Sequence, residues 1–459
     1  MQWLTLAFTC IAMALFQRLT RTGPLEARAT LALGFLVIAA HLGGVLAQRL
    51  RLPRITGFLV IGFAVGPAWL GLVRPDEVQA LSAIATGALA LIAFGAGSEL
   101  RLAALREDRV AILRIAAGAI ALPFAAVALI VLTVSPWFPL TAHQPFRDAA
   151  VVALVLGAMA AVSSPAITWA LITDVGARGP MSRTILGVTV VQSVAAVLLL
   201  VLVLALAQPL ASVGSVRPGI SGIAFLPLAG SLAAGVFLGV AIAQYVKVIG
   251  RYMALVLVAV AFIVVQGVRL VGLEAVLIAL AAGCTIVNAS PTEGGGGGSE
   301  RLRTELQRCA LPVYIVFFGL AGADLQLGAL GELWPWVLLL VGLRITSLRV
   351  GLRWAGRHPA VSAKLATHGW LGLVSQGGLA VTLAAVLRRA FPEWNVSLES
   401  LLVAMIGVHQ LAGPICFQWA LRITGEVPEG AHVAQDVDAP QEGRGEGGDT
   451  ALIAGSSGV

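Results

Sequence analysis

One apolar run of the chain is interrupted by Gly157-Ala-Met-Ala-Ala-Val-Ser-Ser-Pro-Ala-Ile167, in which Ser163, Ser164 and Pro165 fall near the middle of a span-length segment. A second apolar run is interrupted by Trp370-Leu-Gly-Leu-Val-Ser-Gln-Gly-Gly378. Proline removes a backbone donor and clashes with the preceding helical turn, and paired glycines weaken a helix. Both stretches therefore predict helices that break in mid-span.

The composition indicates a membrane protein. The chain has 459 residues, of which 58% are apolar and 12% are charged, and its mean hydropathy is +0.93. A soluble domain carries about 25% charged residues. Apolar runs of about 17–25 residues recur along the chain, each long enough to cross ~30 Å of hydrocarbon, and no strand-like alternation indicates a barrel. A soluble enzyme, a nucleic-acid-binding protein and a disulfide scaffold are excluded, and an all-α polytopic membrane protein is predicted.

Apolar windows between charges, prolines and glycines predict about 14 transmembrane helices. They lie at residues 3–17, 29–47, 55–73, 78–97, 110–133, 149–173, 182–207, 221–245, 252–268, 271–288, 310–328, 333–352, 366–387 and 399–422. The interrupted helices hold corresponding positions in two runs of six, the second to the seventh helix and the ninth to the fourteenth. One interruption alone is typical of a packing kink, but a matched pair is typical of a transporter built from two inverted repeats. We expect crossed broken helices whose free ends hold an ion near the bilayer midplane.

The flanking sequences predict the orientation and the domain organisation. Placing both termini in the cytoplasm puts most basic loop residues on that side, which predicts an N-in, C-in protein of the cell inner (plasma) membrane. Residues 1–28 are expected to form an extra N-terminal helix and loop, or a weak signal sequence, and residues 29–425 the transmembrane domain. Residues 426–459 hold seven acids against one arginine and predict a disordered acidic cytoplasmic tail. The four cysteines lie singly, which is typical of inert buried thiols.

Six segments of the chain resemble the motifs of a known family. The first reads Leu52-Pro-Arg-Ile-Thr-Gly-Phe-Leu-Val-Ile-Gly-Phe-Ala-Val-Gly-Pro67. The others are Phe94-Gly-Ala-Gly-Ser-Glu-Leu100, Gly176-Ala-Arg-Gly-Pro-Met-Ser-Arg-Thr184, Pro312-Val-Tyr-Ile-Val-Phe-Phe-Gly-Leu-Ala-Gly-Ala323, Leu373-Val-Ser-Gln-Gly-Gly-Leu-Ala380 and Gly407-Val-His-Gln-Leu-Ala-Gly-Pro414. In this order, over about residues 32–425, they resemble the cation:proton antiporter (sodium/hydrogen exchanger) superfamily.

The resemblance implies a secondary transporter rather than an enzyme. It implies exchange of a monovalent cation, Na⁺ or K⁺, for protons by alternating access between a dimerisation bundle and a core ion-translocation bundle. It also implies a homodimer in the lipid bilayer, without a cofactor and without a nucleic-acid partner.

The resemblance fails at the centre of the expected site. In typical members the helix after the first broken helix carries Asp-Asp or Asn-Asp, and one carboxylate holds the cation and the proton in turn. Here Gln192 and Ser193 occupy those positions. Their oxygens can line a cation site, but neither side chain titrates near neutral pH. An alternative function is therefore a regulatory paralogue of the same fold that does not transport, or transport that is not coupled to protons.

Eight residues are candidates for the ion pathway and for substrate binding: Ser163, Ser164, Gln192, Ser193, Gln376, Arg344, His409 and Gln410. They do not indicate a structural metal site. An imidazole titrates near neutrality, so His409 could carry the proton, although a buried structural histidine is the commoner case. Arg344 could attract an anion, pair with a helix C-terminus or snorkel to the cytoplasmic side. Glu274 is expected to form an ion pair with Arg269 at the outer face.

Overall fold

The computed structural model describes residues 2–20, 23–210, 220–249, 251–289, 298–325, 330–391 and 395–428, and these residues form eighteen α-helices. In chain order the helices are α1 Gln2–Leu19, α2 Leu25–Arg49, α3 Arg54–Val65, α4 Pro75–Ala80, α5 Ser82–Ser98, α6 Leu102–Glu107, α7 Arg109–Thr133, α8 Phe146–Ala160, α9 Pro165–Asp174, α10 Pro180–Leu210, α11 Ile220–Val248, α12 Met253–Val271, α13 Ala275–Ala289, α14 Gly298–Ala323, α15 Leu330–Ala355, α16 Ala363–His368, α17 Gly378–Ala390 and α18 Asn395–Thr424. A 3-10 turn, Gly369–Leu373, continues α16.

The all-helical membrane fold predicted from the sequence is confirmed. Nine spans within the described ranges are long and apolar enough to cross a bilayer, and the bent pair of α16 and α17 makes ten. Four shorter apolar helices, α1, α3, α5 and α13, complete the set. The predicted total of 14 spans requires each of these four to cross as well, and that count stays a prediction.

The helices pack as two bundles. The scaffold bundle contains α2–α5 and α11–α14, in which α13 packs between α5 and α11. The core bundle contains α7–α10 and α15–α18, in which α7 packs on α8 and α15. Helix α9 contacts α5 and α14 of the scaffold bundle, so the first broken helix lies where the two bundles meet.

Both interruptions break the helix where the sequence predicts. Helix α8 ends at Ala160, and α9 begins at Pro165, where the missing backbone N–H of proline costs no helical hydrogen bond. The Ser164 hydroxyl accepts a hydrogen bond from the Ile167 backbone N–H (3.3 Å), which caps α9. In the second span, residues 374–377 separate the 3-10 turn from α17. The axis of the span bends by 52° between the helical segments on the two sides of this break.

The packed part of the chain extends past the predicted start of the acidic tail. Glu426 is only 9% exposed, and its carboxylate accepts hydrogen bonds from the backbone N–H groups of Met181 (2.6 Å) and Ser182 (2.9 Å) in the first turn of α10. A carboxylate there satisfies free donors and the positive end of the helix dipole. Glu426 therefore belongs to the packed part of the chain, and the expected boundary of the tail at residue 426 stays a prediction. The remainder of the predicted tail, residues 429–459, lies outside the described part of the chain.

Candidate functional site

The two breaks touch each other. The Ser163 hydroxyl donates a hydrogen bond to the Leu373 carbonyl (2.8 Å), and the Ser164 backbone N–H donates to the Ser375 carbonyl (3.0 Å). A Cβ added at Gly377 would lie 2.8 Å from the Ser164 hydroxyl, so the second break passes close to the first and leaves no room for a side chain at this position. The crossing predicted from two distant stretches of sequence is confirmed.

Arg344 of α15 lies in the middle of this crossing and is fully buried. Its guanidinium donates to the carbonyls of Ala160 (2.9 Å) and Val162 (2.7 Å) in the first break. It also donates to the carbonyls of Leu373 (3.1 Å) and Val374 (2.7 Å) in the second. Of the roles left open by the sequence, pairing with helix C-termini is the one observed. Snorkelling is excluded because the side chain is fully buried. An anion could bind the guanidinium only by displacing these carbonyls from it.

The charge of Arg344 matches the helix ends that it contacts. Helix α8 and the segment of α16 with its 3-10 turn both end at the crossing with free carbonyls. A helix C-terminus carries roughly −0.5 elementary charge, so two of them amount to roughly −1. One guanidinium therefore balances the two C-terminal ends, while the N-termini of α9 at Pro165 and of α17 at Gly378 bring roughly +0.5 each to the same crossing.

Gln192 and Ser193 of α10 face the first break. The Gln192 amide nitrogen donates to the carbonyls of Ala119 and Ala161, at 3.3 Å each. The Ser193 hydroxyl is placed near the Ser163 carbonyl (3.4 Å) and donates to its own helix at 2.9 Å. The neutral pair thus supplies donors to carbonyls at the positions where the sequence resemblance implies carboxylates.

Gln376, in the second break, reaches across to the first. Its amide nitrogen donates to the carbonyls of Met159 (2.9 Å) and Val162 (3.3 Å). Because both glutamines donate through nitrogen, their oxygens are left over: Gln192 Oε1 and Gln376 Oε1 are buried and have no hydrogen-bond partner. Each is a buried, unpaired acceptor on a side chain that contacts the crossing, and a cation or a water molecule can satisfy such an acceptor.

His409 and Gln410 approach the crossing from α18. The His409 ring nitrogen Nδ1 lies 2.8 Å from the Met405 carbonyl, which requires the proton on Nδ1 in the neutral ring and leaves Nε2 as a buried acceptor without a partner. The ring is within electrostatic range of the Arg344 guanidinium. Gln410 is buried too, but among the described residues it makes no hydrogen bond to the crossing.

A cavity of about 1160 Å³ opens beyond the C-terminal end of α9. Its charged lining residues are Arg54, Glu99, Arg101, Asp174, Arg178 and Arg183. On α10 the lining reaches Leu186, six residues and about 9 Å of helix rise before Gln192. The cavity therefore gives access to one side of the crossing and stops short of it.

Glu274 is a buried acid whose partners the sequence did not reveal. It is 3% exposed, whereas Arg269 is exposed, and the predicted ion pair between them is wrong. Its carboxylate accepts the Leu277 backbone N–H (2.7 Å) and faces the Thr382 hydroxyl of α17 at 3.5 Å. The left-handed backbone at Gly272 (φ +71°) turns the chain from α12 inward, which buries Glu274 instead of leaving it beside Arg269.

Two crossed, broken helices that expose backbone ends in the interior of a polytopic helical bundle define the class of ion-coupled secondary transporters. Residues 36–421 match the family described as "Sodium/hydrogen exchanger, transmembrane". The chain belongs to this family.

Individual relatives agree with the family. The chain is 34% identical over 92 residues to the Na(+)/H(+)-K(+) antiporter GerN of Bacillus cereus, an alignment covering 20% of this chain and 23% of that protein. It is 32% identical over 171 residues to the probable Na(+)/H(+) antiporter GerT of the same organism, covering 37% of this chain and 42% of that protein. The chain is thus aligned with less than half the length of either relative.

The fold is similar to a solved structure. The sodium proton antiporter MjNhaP1 from Methanocaldococcus jannaschii superposes with a TM-score of 0.66 at 16% identity, covering 88% of this chain and 99% of that one. At this identity the match concerns the fold, and the site has to be argued from the residues of this chain.

Proposed function

We propose that this chain exchanges a monovalent cation, Na⁺ or K⁺, for protons by alternating access. The observation that carries the proposal is the pair of unpaired oxygens, Gln192 Oε1 and Gln376 Oε1, at the crossing of the broken helices. Neutral amide and carbonyl oxygens can replace the hydration shell of a monovalent cation. The match to the family and the names of the two bacterial relatives support the same exchange.

The route from one side of the membrane follows from the same geometry. The cavity beyond α9 serves as the cytoplasmic vestibule, because both termini are proposed to be cytoplasmic and α10 begins at its rim with Pro180. Ser163, Ser164 and Ser193 line the remaining path with hydroxyl groups. We place the protein in the inner (plasma) membrane and propose that it is a homodimer. Mass photometry of the detergent-solubilised protein would test the homodimer.

The test is proton flux in proteoliposomes. Purified protein is reconstituted with a pH-sensitive dye inside, a Na⁺ or K⁺ gradient is imposed, and the internal pH is followed from about pH 6 to about pH 9, a range that covers imidazole and shifted carboxyl groups. Cation-dependent flux above that of empty vesicles is expected. Folded protein that gives no such flux with either cation contradicts the proposal.

A second candidate function is favoured by one observation, the replacement of the acidic pair by Gln192 and Ser193. A regulatory or uncoupled paralogue would keep the fold and lack proton exchange. In that case the double variant Gln192→Asp, Ser193→Asp gains exchange that the parent lacks. If the parent already exchanges, the paralogue hypothesis fails.

A further inference from the structure

A proton-coupled exchanger needs a buried group that binds and releases a proton. In this chain the usual positions hold Gln192 and Ser193, and Arg344 is held by carbonyls of both breaks. The proton must therefore be carried by another side chain close to the crossing. A proton carrier is needed only if the proposed exchange takes place, so its assignment rests on that function.

The other buried carboxylates of the described residues have partners elsewhere or lie far from the break, and Asp174 in the cavity wall accepts the Arg54 backbone N–H (3.1 Å). Glu77 accepts the Arg74 backbone N–H (2.9 Å) and faces the Arg28 guanidinium (3.7 Å) within the scaffold bundle. Glu426 caps α10 at the rim of the vestibule. Asp148 lies in the first turn of α8, about 18 Å of helix rise before the break at Ala160.

Glu274 is different because it contacts a half-helix close to the break. Thr382, which faces its carboxylate, is four residues into α17, or about 6 Å of helix rise beyond Gly378. The polar groups around Glu274 come from three helices: the Ser231 hydroxyl of α11, which accepts the Glu274 backbone N–H at 2.7 Å, the Leu277 N–H of α13, and Thr382 of α17. No hydrogen bond or ion pair in the described part of the chain brings a charged group to this carboxylate.

We propose that Glu274, on the scaffold bundle, carries the transported proton in place of the missing acidic pair. The ionised carboxylate attracts the cation toward the crossing, and a proton bound to it removes that attraction. One proton taken up by the carboxylate accompanies the departure of one monovalent cation, so the charge of the site is the same in both states.

Thr382 provides the connection to the break. Its hydroxyl has one hydrogen and two acceptors within reach, Glu274 Oε1 at 3.5 Å and the Gly378 carbonyl at 3.1 Å. When Glu274 is ionised, the hydroxyl hydrogen turns toward the carboxylate. When Glu274 is protonated, its own O–H donates to the threonine oxygen, and the threonine hydrogen returns to Gly378. The first residue of α17 therefore responds to the proton on Glu274.

The contact also joins the parts that must move against each other. Glu274 belongs to the scaffold bundle and Thr382 to the core bundle. Rocking of one bundle against the other, the general motion of repeat-built transporters, separates the two side chains. Protonation then changes the contact that holds this side of the crossing closed, which couples the proton to the conformational step.

The test compares Glu274→Gln with Glu274→Asp and the parent, using proton flux and Na⁺- or K⁺-dependent thermal stabilisation across the same pH range. The glutamine variant keeps an acceptor for the Leu277 N–H but cannot titrate. It is expected to fold, to reduce cation-dependent proton flux to the level of empty vesicles, and to make cation stabilisation independent of pH. The aspartate variant should retain exchange with a displaced pH profile.

Glu77→Gln is the matched control, because it neutralises an equally buried scaffold glutamate away from the crossing, and it should exchange as the parent does. If Glu274→Gln fails to fold, Thr382→Val, which removes only the hydroxyl, must shift the pH profile of exchange. The inference is overturned if Glu274→Gln or Thr382→Val exchanges as the parent does and with the same pH dependence. It is also overturned if His409→Asn abolishes the pH dependence of exchange and Glu274→Gln retains it. A parent without cation-dependent flux overturns the proposed function instead.

Discussion

The Arg344 guanidinium donates a 2.7 Å hydrogen bond to the Val162 carbonyl, between the end of α8 and the start of α9. This contact fixes the only membrane-buried guanidinium of the described residues at the break of the first half-helix. Because the same group reaches the second break, Arg344 is the common partner of both interrupted spans. The crossing is therefore held by a permanent positive charge, and a transported cation has to bind at oxygens that Arg344 leaves unoccupied.

Replacing Arg344 should destabilise the protein more than replacing any exposed arginine. Arg344→Leu removes a donor from four carbonyls, of which Leu373 keeps the Ser163 hydroxyl and Val162 keeps the Gln376 amide. The carbonyls of Ala160 and Val374 lose the guanidinium without such a replacement, and each buried unsatisfied acceptor costs about 1–3 kcal/mol. Arg344→Lys keeps the charge but lacks the planar fork that spans both breaks, so an intermediate loss is expected. Thermal denaturation of the detergent-solubilised protein, followed by intrinsic tryptophan fluorescence, measures both.

Arg353→Lys on the same helix serves as the control, because Arg353 is exposed. Its melting temperature should equal that of the parent. If Arg344→Lys also melts like the parent, the bidentate contacts to the two breaks do not contribute to stability, and Arg344 is held by its charge alone.

The amide oxygens of the two glutamines should determine cation binding. Gln192→Leu and Gln376→Leu each remove one of the unpaired oxygens at the crossing and keep a similar volume. We expect both to weaken the thermal stabilisation produced by Na⁺ or K⁺, with the double variant losing it. Both also lose carbonyl caps, so the melting temperature without added cation should fall as well.

Gln418→Leu separates the two effects, because Gln418 is a buried glutamine of α18 that lies about 13 Å of helix rise beyond His409. It should respond to the cation as the parent does. Normal cation stabilisation in the Gln192 and Gln376 variants would contradict the assignment of these oxygens as ligands.

The breaks themselves could be predicted from the sequence, because proline and paired glycines act on the local backbone. The partners of the breaks could not. Arg344 sits in an apolar helix far along the chain, and the carbonyls that bind it belong to residues 160, 162, 373 and 374, whose side chains give no signal. Charge proximity along the sequence favours Arg269 as the partner of Glu274, whereas the left-handed turn at Gly272 separates the two side chains.

Glu426 should connect the end of α18 to the start of α10. Glu426→Ala removes both carboxylate bonds to the first turn of α10, and the loss of such a cap costs about 0.5–2 kcal/mol. A chain truncated after Gly425 should lose more, because the Arg178 backbone N–H also donates to the Glu426 carbonyl (3.1 Å), and a chain truncated after Pro428 should melt as the full chain does. Thermal denaturation of the three proteins checks this. Equal melting temperatures for both truncations would place the stabilising contact elsewhere.

Close backbone contact between α5 and α13 should make Gly283 intolerant of any side chain. A Cβ at Gly283 would overlap the Phe94 carbonyl, and a Cβ at Gly97 would overlap the Leu280 carbonyl, so the two helices pack through reciprocal glycines. We expect Gly283→Ala to destabilise the scaffold bundle by about 1–3 kcal/mol, the usual cost of overpacking. Gly34→Ala in α2 is the control, since a Cβ there meets nothing within 4 Å and alanine favours the helix by about 0.5–1 kcal/mol. Thermal melting should therefore fall for Gly283→Ala and stay level or rise for Gly34→Ala. Because α13 also positions Glu274, Gly283→Ala should in addition lower the rate of exchange. If the variant melts at a lower temperature yet exchanges at the parent rate, α13 can shift without moving the Glu274 carboxylate.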